Sequence, residues 1–340
     1  MDLLSNLWLG LQVAAEPITL AYCFFGVLLG TIVGVLPGIG ALAAISLLLP
    51  LTYHMPPTAA IIMLAGIYYG AQYGGSTASI LLNLPGTPSS AVTCLDGYPM
   101  TKKGKAGVAL FVTTIASLVG AMSGLILLVL FSPAIAGIGL KFGPAEFFSM
   151  MVLGLVAASS MTSGSPAKGL CMVVFGLLLG MVGTDVNSGV ARFSFDVPEL
   201  MDGINLIALA MGLFGVAEVV RCINSAETSQ RPEKVTLKSM VPTSDEFKAT
   251  IKPMVRGSAL GSALGALPGV GPSIAAFMSY AIEKKVAKDP SRFGHGAIEG
   301  ITAPESANNA SAQTAFVPSL SLGIPGDAVM AVMMGALIIH

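Results

Sequence analysis

The chain reads as an all-α polytopic membrane protein built from two structural repeats, and three observations carry that reading. Hydrophobic residues make up 54% of the 340 positions against 10% charged, with a mean hydropathy of +0.81, far from the balance of an ordinary soluble domain. The run Gly34-Val35-Leu36-Pro37-Gly38-Ile39-Gly40 returns as Gly265-Ala266-Leu267-Pro268-Gly269-Val270-Gly271, and Gly30 matches Gly261 at the same offset of 231 residues. A second pair, Leu84-Pro85-Gly86 and Ile324-Pro325-Gly326, repeats at an offset of 240. Gly and Pro are common here, so coincidence is the competing explanation; six matches at one offset argue against it. Duplicated interruptions of hydrophobic segments are the best sequence pointer to a transporter's binding site. Discontinuous helices or re-entrant hairpins broken at the Pro-Gly motifs are therefore expected, with the two halves inverted by analogy.

Taken in order, residues 1–16 suit a short interfacial helix carrying Trp8. No Lys or Arg precedes Lys102, so the basic flank of a cleaved signal peptide is missing and this first segment is expected to remain. Pro17 opens a segment, 18–36, long enough to cross a bilayer, since about 20 apolar residues match the hydrocarbon thickness. Pro37 lacks an amide hydrogen, so a break is expected there, with a half-helix resuming through Leu51. The next long segment, 57–84, is expected to be interrupted at Tyr73-Gly74-Gly75-Ser76-Thr77 and ended by Pro85-Gly86, with 87–98 a polar loop.

Lys102, Lys103 and Lys105 mark a cytoplasmic loop under the positive-inside bias. Segments near 106–132, 144–160, 166–184 and 200–220 then alternate sides. That puts the acidic loop Asp185 to Glu199 outside and the basic stretch Arg221 to Arg256 inside. Residues 254–282 carry the second break with basic residues at both flanks, as expected for a hairpin entering and leaving on the cytoplasmic side. Residues 301–339 form the last hydrophobic region, broken at Pro325-Gly326. The domain reading is 1–220 as first repeat plus scaffold helices, 221–253 as cytoplasmic linker and 254–340 as second repeat. The piece after Pro325-Gly326 is too short to span, so the chain is expected to be truncated at its C-terminus.

Each helix resuming after a break begins with amides that lack intrahelical partners and a partial positive charge, which attracts anions. Amides and hydroxyls can hold a carboxylate without placing Lys or Arg in the bilayer, where a cation costs about 3 kcal/mol. The candidate substrate residues are Gly38, Gly40, Ser76, Thr77, Asn83, Pro85, Gly86, Thr87, Gly269, Gly271, Ser273, Asn308, Asn309 and Gly326; helix caps and packing glycines are the plainer alternative. The polar runs Tyr69 to Ser79 and Pro304 to Thr314 are expected to face the bundle interior. Glu305, Asn308 and Asp327 are candidates for a coupling cation, although Asp327 suits a helix N-cap and Glu305 an interfacial position.

A net charge of −1 points to no partner, and no nucleic acid is expected. Cys23, Cys94, Cys171 and Cys222 lack CxxC spacing, and the three histidines show no ligand spacing, so no metal or disulfide framework is expected. No membrane-centre histidine or paired aspartates support an enzyme. A passive channel built from broken helices remains the competing class.

The runs Gly34 to Gly40, Tyr69 to Pro88, Asp96-Gly97-Tyr98-Pro99, Pro304 to Ala310 and Gly323 to Asp327 together closely resemble the large permease subunit of bacterial tripartite tricarboxylate transporters. The resemblance covers essentially the whole chain, although family members continue through several more helices. It implies a multi-pass secondary transporter of the bacterial inner membrane, importing citrate or a related di- or tricarboxylate on a Na+ or H+ gradient by alternating access. It also implies a small membrane subunit and a periplasmic solute-binding protein as partners, and no cofactor beyond the coupling ion. An anion-selective channel, or a carrier without a binding protein, is the alternative.

Overall fold

A computed structural model describes residues 3–36, 40–139, 143–146, 148–149, 152, 165–185, 188–204, 236–267, 269–323 and 325–339. Among these, structure is almost entirely helical. The first five helices are α1 (Leu3–Ala14), α2 (Pro17–Val35), α3 (Gly40–Thr52), α4 (Pro57–Leu82) and α5 (Ala91–Lys102). Then come α6 (Ala106–Gly139), α7 (Pro166–Gly180), the short α8 (Leu237–Met240), α9 (Ser244–Gly265) and α10 (Gly271–Val286). The chain closes with α11 (Ile298–Thr314), α12 (Phe316–Leu322) and α13 (Ala328–Ile339). A two-residue antiparallel pairing, Gly183–Thr184 with Ala191–Arg192, lies in the loop expected outside.

Proline sets the helix starts, because its fixed φ suits the first turn and its missing amide is not needed there. Pro17, Pro57 and Pro166 all sit at such positions. The charged helix α9 opens instead with a capping box, Thr243 and Glu246 exchanging side-chain and backbone bonds.

Glycine decides which helices touch. A Cβ on Gly26, Gly30 or Gly34 of α2 would overlap the backbone of Met63, Ile67 or Ala71 of α4, so the two helices run parallel at near backbone contact. Gly257, Gly261 and Gly265 of α9 meet Ala303, Ala307 and Ser311 of α11 in the same way and direction. In each case the short middle helix, α3 or α10, must return the chain to the end from which its predecessor started. Gly120 and Gly124 of α6 press against Ser306 and Ala310 on another side of α11.

Large apolar side chains cover the outside while many polar ones are buried among the core residues. Phe24, Phe25, Ile32, Leu118, Ile126 and Leu130 are all more than half exposed. Gln72, Ser76, Thr87, Glu305, Asn308 and Asn309 are all buried to 5% exposure or less. Water would not tolerate that distribution at such scale, whereas lipid requires it. Pro17–Val35 and Ala106–Leu130 are long and apolar enough to cross a bilayer.

Three local expectations are corrected. Tyr73 to Thr77 do not interrupt α4, which runs unbroken to Leu82; Gly70 and Gly74 bring α2 close instead of breaking the helix. Residues 87–98 are not a loop but a 3-10 turn, Pro88–Ser90, leading into α5. Glu305 is not interfacial: at 1% exposure it is enclosed between α4, α6 and α11. Residues 205–220 of the expected segment 200–220, most of 144–160, and Cys222 lie outside the described residues.

Candidate functional site

Helix α11 is both central and polar, which local sequence alone would not combine. Small residues let α6 and α9 approach its backbone, and the volume they leave is taken by Glu305 and Asn309. The Glu305 carboxylate accepts from the Ser76 hydroxyl of α4 at 2.5 Å, the Ser117 hydroxyl of α6 at 2.9 Å and the Asn309 amide at 3.1 Å. Asn309 also donates to the Glu305 carbonyl at 3.0 Å and the Ser117 oxygen at 3.1 Å. Three helices are joined through one acid that has no basic partner among the described residues. Such a carboxyl, in a dry interior, is suited to carry a proton or a small cation.

One helical turn further, Asn308 has the opposite character. It is 1% exposed, and among the described residues neither its amide nitrogen nor its oxygen has a hydrogen-bond partner; the Ser258, Ser262 and Ser311 hydroxyls are likewise unpaired there. A buried amide with both ends unsatisfied costs several kcal/mol in order of magnitude, so it calls for a functional reason.

In each half of the chain, residues flanking the first Pro-Gly motif lie against the second. Gly86 abuts the Gly34 carbonyl and Gly75. A Cβ on Gly271 would stand 3.0 Å from that of Asp327. Asp327 does cap α13, its Oδ1 accepting from the Met330 amide at 2.8 Å, yet it also accepts the Tyr68 hydroxyl from the other half. Tyr69 donates to Gln313. With Ser76 bonded to Glu305, these contacts show α4 and α11 crossing in opposite directions.

The first half's hydroxyls are committed internally. Thr87 and Ser90 form a capping box, and Ser89 donates to Gln72 Oε1 at 2.6 Å. Thr77 bonds back to the Tyr73 carbonyl of its own helix at 3.2 Å and is half-buried. Asn83 ends α4 in the left-handed region, at φ 57°, and Gly323 ends α12 at φ 66°. Gly40 and Gly271 open α3 and α10 with φ of 65° and 66°. Gly269 sits exposed at the second tip, and Ser273 follows in the first turn of α10, which has no side-chain cap. Pro85, Gly86 and Gly326 are buried or half-buried in their turns. Gly38 lies outside the described residues.

The geometry thus joins Ser76, Glu305 and Asn309, and separately Asp327 with Gly271. It does not bring Thr77 or Ser273 to either group by any hydrogen bond among the described residues. Sequence reasoning missed Ser117, Tyr68 and Gln72 as participants. Ser117 had no local signal, being one hydroxyl in an apolar span; Tyr68 and Gln72 lay in or beside the polar run of α4, and only packing selects them.

A second buried acid organises the base of the site. Asp96 of α5, fully buried, accepts from the amides of Gly294, Gly296 and Ala297 at 2.7–2.9 Å and from the Tyr280 hydroxyl at 2.9 Å. Helix α11 lacks a side-chain cap of its own, so a carboxylate from the other half takes that role.

Comparison with known proteins gives a coherent result. The tripartite tricarboxylate transporter TctA family matches residues 20–340. An Agrobacterium vitis protein described as an uncharacterized 52.8 kDa protein in the TAR-I ttuC' 3' region is 51% identical over 341 residues, covering all of this chain and 68% of that protein. A second protein of that organism, described as an uncharacterized protein in the TAR-II ttuC' 3' region, is 60% identical over 70 residues, 21% of this chain and 29% of its own length. No solved structure matches the chain at significant similarity.

Proposed function

Because the chain belongs to the tripartite tricarboxylate transporter TctA family, a family of membrane transport proteins, we propose that it is the large membrane subunit of a cation-driven importer of citrate or a related di- or tricarboxylate. The observation that carries this is Asn308, a buried amide in the centre of the bundle with neither polar end satisfied. A carboxylate, or an ion travelling with it, supplies the missing partners.

The protein consists of two inverted repeats, α2–α4 with the turn to α5 and α9–α12 with the turn to α13. Support comes from matched contacts. Gly26, Gly30 and Gly34 meet Met63, Ile67 and Ala71 just as the residues 231 and 240 positions later meet each other, and α4 crosses α11 antiparallel. The apolar part of α9, from Gly257, is about 13 Å long and α10 from Gly271 to Ile282 about 18 Å. Each is roughly half the hydrocarbon thickness of about 30 Å. The second hairpin therefore enters from the cytoplasmic side and turns near the midplane, where irregular backbone is tolerated if it lines a cavity. Residues 221–253 connect the halves, their end forming the charged start of α9.

In this scheme the amides and hydroxyls around Gly38, Gly40, Gly269, Gly271 and Ser273, with Asn308, receive the substrate carboxylates. The turn residues Asn83, Pro85, Gly86, Thr87 and Gly326 shape the cavity. Glu305, with Ser76, Ser117 and Asn309, takes the coupling Na+ or proton, and the Tyr68–Asp327 contact holds the halves together in one of the alternating states. A small membrane subunit and a periplasmic binding protein complete the transporter in the bacterial inner membrane.

Proteoliposomes carrying this chain with its small subunit, supplied with the binding protein and labelled citrate, test the reading. Uptake is expected to require an imposed Na+ or proton gradient and to be lost in Asn308→Leu. In Glu305→Gln, gradient-driven accumulation should fail while exchange of citrate across the membrane persists. Currents orders of magnitude above carrier turnover, or full uptake in both variants, would overturn it.

A further inference from the structure

We propose that the cleft between the first half of α9 and the end of α10 is a binding site for the phosphodiester headgroup of an anionic phospholipid. The cleft, of about 560 Å³, opens beside the charged end of the second hairpin and is independent of the substrate site. Lys248, Lys252 and Lys288 line it, and none of the three has an ion pair or hydrogen bond among the described residues.

The acids along the cleft are largely committed. Arg256 is bonded through two nitrogens to Glu283, and Arg292 bridges Glu299 with contacts of 3.0 and 3.1 Å. Asp289 accepts from the amide and hydroxyl of Ser291, and Asp245 sits in the first turn of α9, where it complements the helix dipole. With Arg256–Glu283 and Arg292–Glu299 neutralised as pairs, the three lysines along the cleft outnumber its two remaining acids, Asp245 and Asp289.

The surface beside the cleft says what kind of anion fits. Phe247, Ile251 and Val255 repeat every four residues along α9, all exposed, one position before Lys248, Lys252 and Arg256. An apolar stripe runs beside a basic one on the same helix, the arrangement of a helix lying at a bilayer interface. Val286 of α10 lines the cleft and is exposed, and Ile282, one turn earlier on the same helix, is exposed too. A free phosphate or carboxylate would use the lysines and leave both apolar stripes unexplained. A phospholipid uses both, its headgroup in the cleft and its acyl chains along the stripes, as basic pockets on cytoplasmic faces do.

Thermal unfolding of the full chain, washed free of bound lipid in a neutral detergent, tests this directly. Phosphatidylglycerol should raise the unfolding temperature, whereas phosphatidylcholine and inorganic phosphate at equal concentration should not. In the triple variant K248Q/K252Q/K288Q, phosphatidylglycerol should be needed at about a hundredfold higher concentration, each lysine contributing a similar factor. K288Q alone, placed after α10, should shift the concentration about fivefold and covers the case in which the triple variant does not fold. An equal response to phosphatidylcholine, or unchanged variants, would overturn the proposal. A shift reproduced by inorganic phosphate would assign the cleft to soluble anions and overturn the lipid reading. None of these outcomes depends on whether citrate is transported.

Discussion

Asn308 and Ser76 are both buried hydrogen-bonding groups on the central helices, yet replacing them should have opposite effects on stability. Ser76 donates to Glu305, so Ser76→Ala leaves a buried acid with one partner fewer and should cost about 1 kcal/mol. Asn308 donates to nothing and accepts from nothing, so Asn308→Leu removes an unsatisfied group and should leave the unfolding temperature unchanged or higher. Uptake should nonetheless fall at least about tenfold in Asn308→Leu. Comparing unfolding curves with uptake for the two variants separates these, and a clear destabilisation by Asn308→Leu would mean that its amide is structurally paired. At the surface, Lys105 first and then the Thr243 amide hold the Glu246 carboxyl below the usual carboxylate range. Its contribution is present above the ordinary glutamate pKa and is lost as pH falls through the lowered one. Because its partner Lys105 is half exposed and solvent screens the pair, that contribution is no more than about 0.5 kcal/mol. Glu246→Gln should flatten the acid side of a stability profile by that amount, measured between pH 6 and roughly pH 3.

Helices in this protein are chosen by propensity and proline but paired by glycine. In water, burial of apolar faces would drive the pairing; in lipid that force vanishes, and close backbone approach with its dispersion contacts takes its place. Gly30→Ala and Gly261→Ala each put a methyl group into a neighbouring backbone, at Ile67 and Ala307. Each should lower stability by about 1–3 kcal/mol, whereas Gly176→Ala, with open space around it, should be neutral or slightly stabilising. Thermal unfolding in detergent measures all three, and a Gly261→Ala variant as stable as Gly176→Ala would remove the tight α9–α11 contact from the fold. The same physics explains why α4 was misjudged. Gly74, Gly75, Ser76 and Thr77 carry the composition of a break, but a helix whose glycines face another helix keeps its hydrogen bonds, and nothing in the local order of residues distinguishes the two uses.

At the scale of the molecule, the positive-inside bias and the proposed inverted arrangement make a topological prediction. In a background carrying Cys171→Ser, which removes an exposed thiol, the Asp196→Cys thiol should react with an impermeant maleimide in intact cells or spheroplasts. The Ser291→Cys thiol should react only after lysis. Labelling of both from one side would refute the orientation. Much of this architecture was legible beforehand: hydropathy marks the bilayer as solvent, and Pro17, Pro57 and Pro166 begin helices where the sequence places them. The Glu305 partner Ser117 and the Asp327 partner Tyr68 were not. They lie 188 and 259 positions before the acids they bond, and their hydroxyl groups are ordinary in isolation. Medium, helix ends and interruptions follow from short-range chemistry, which each stretch of chain carries with it. The choice among many similar polar groups of those that enclose an acid or leave an amide bare is made when helices close on one another, since burial and hydrogen bonding are properties of the packed assembly and not of any one segment.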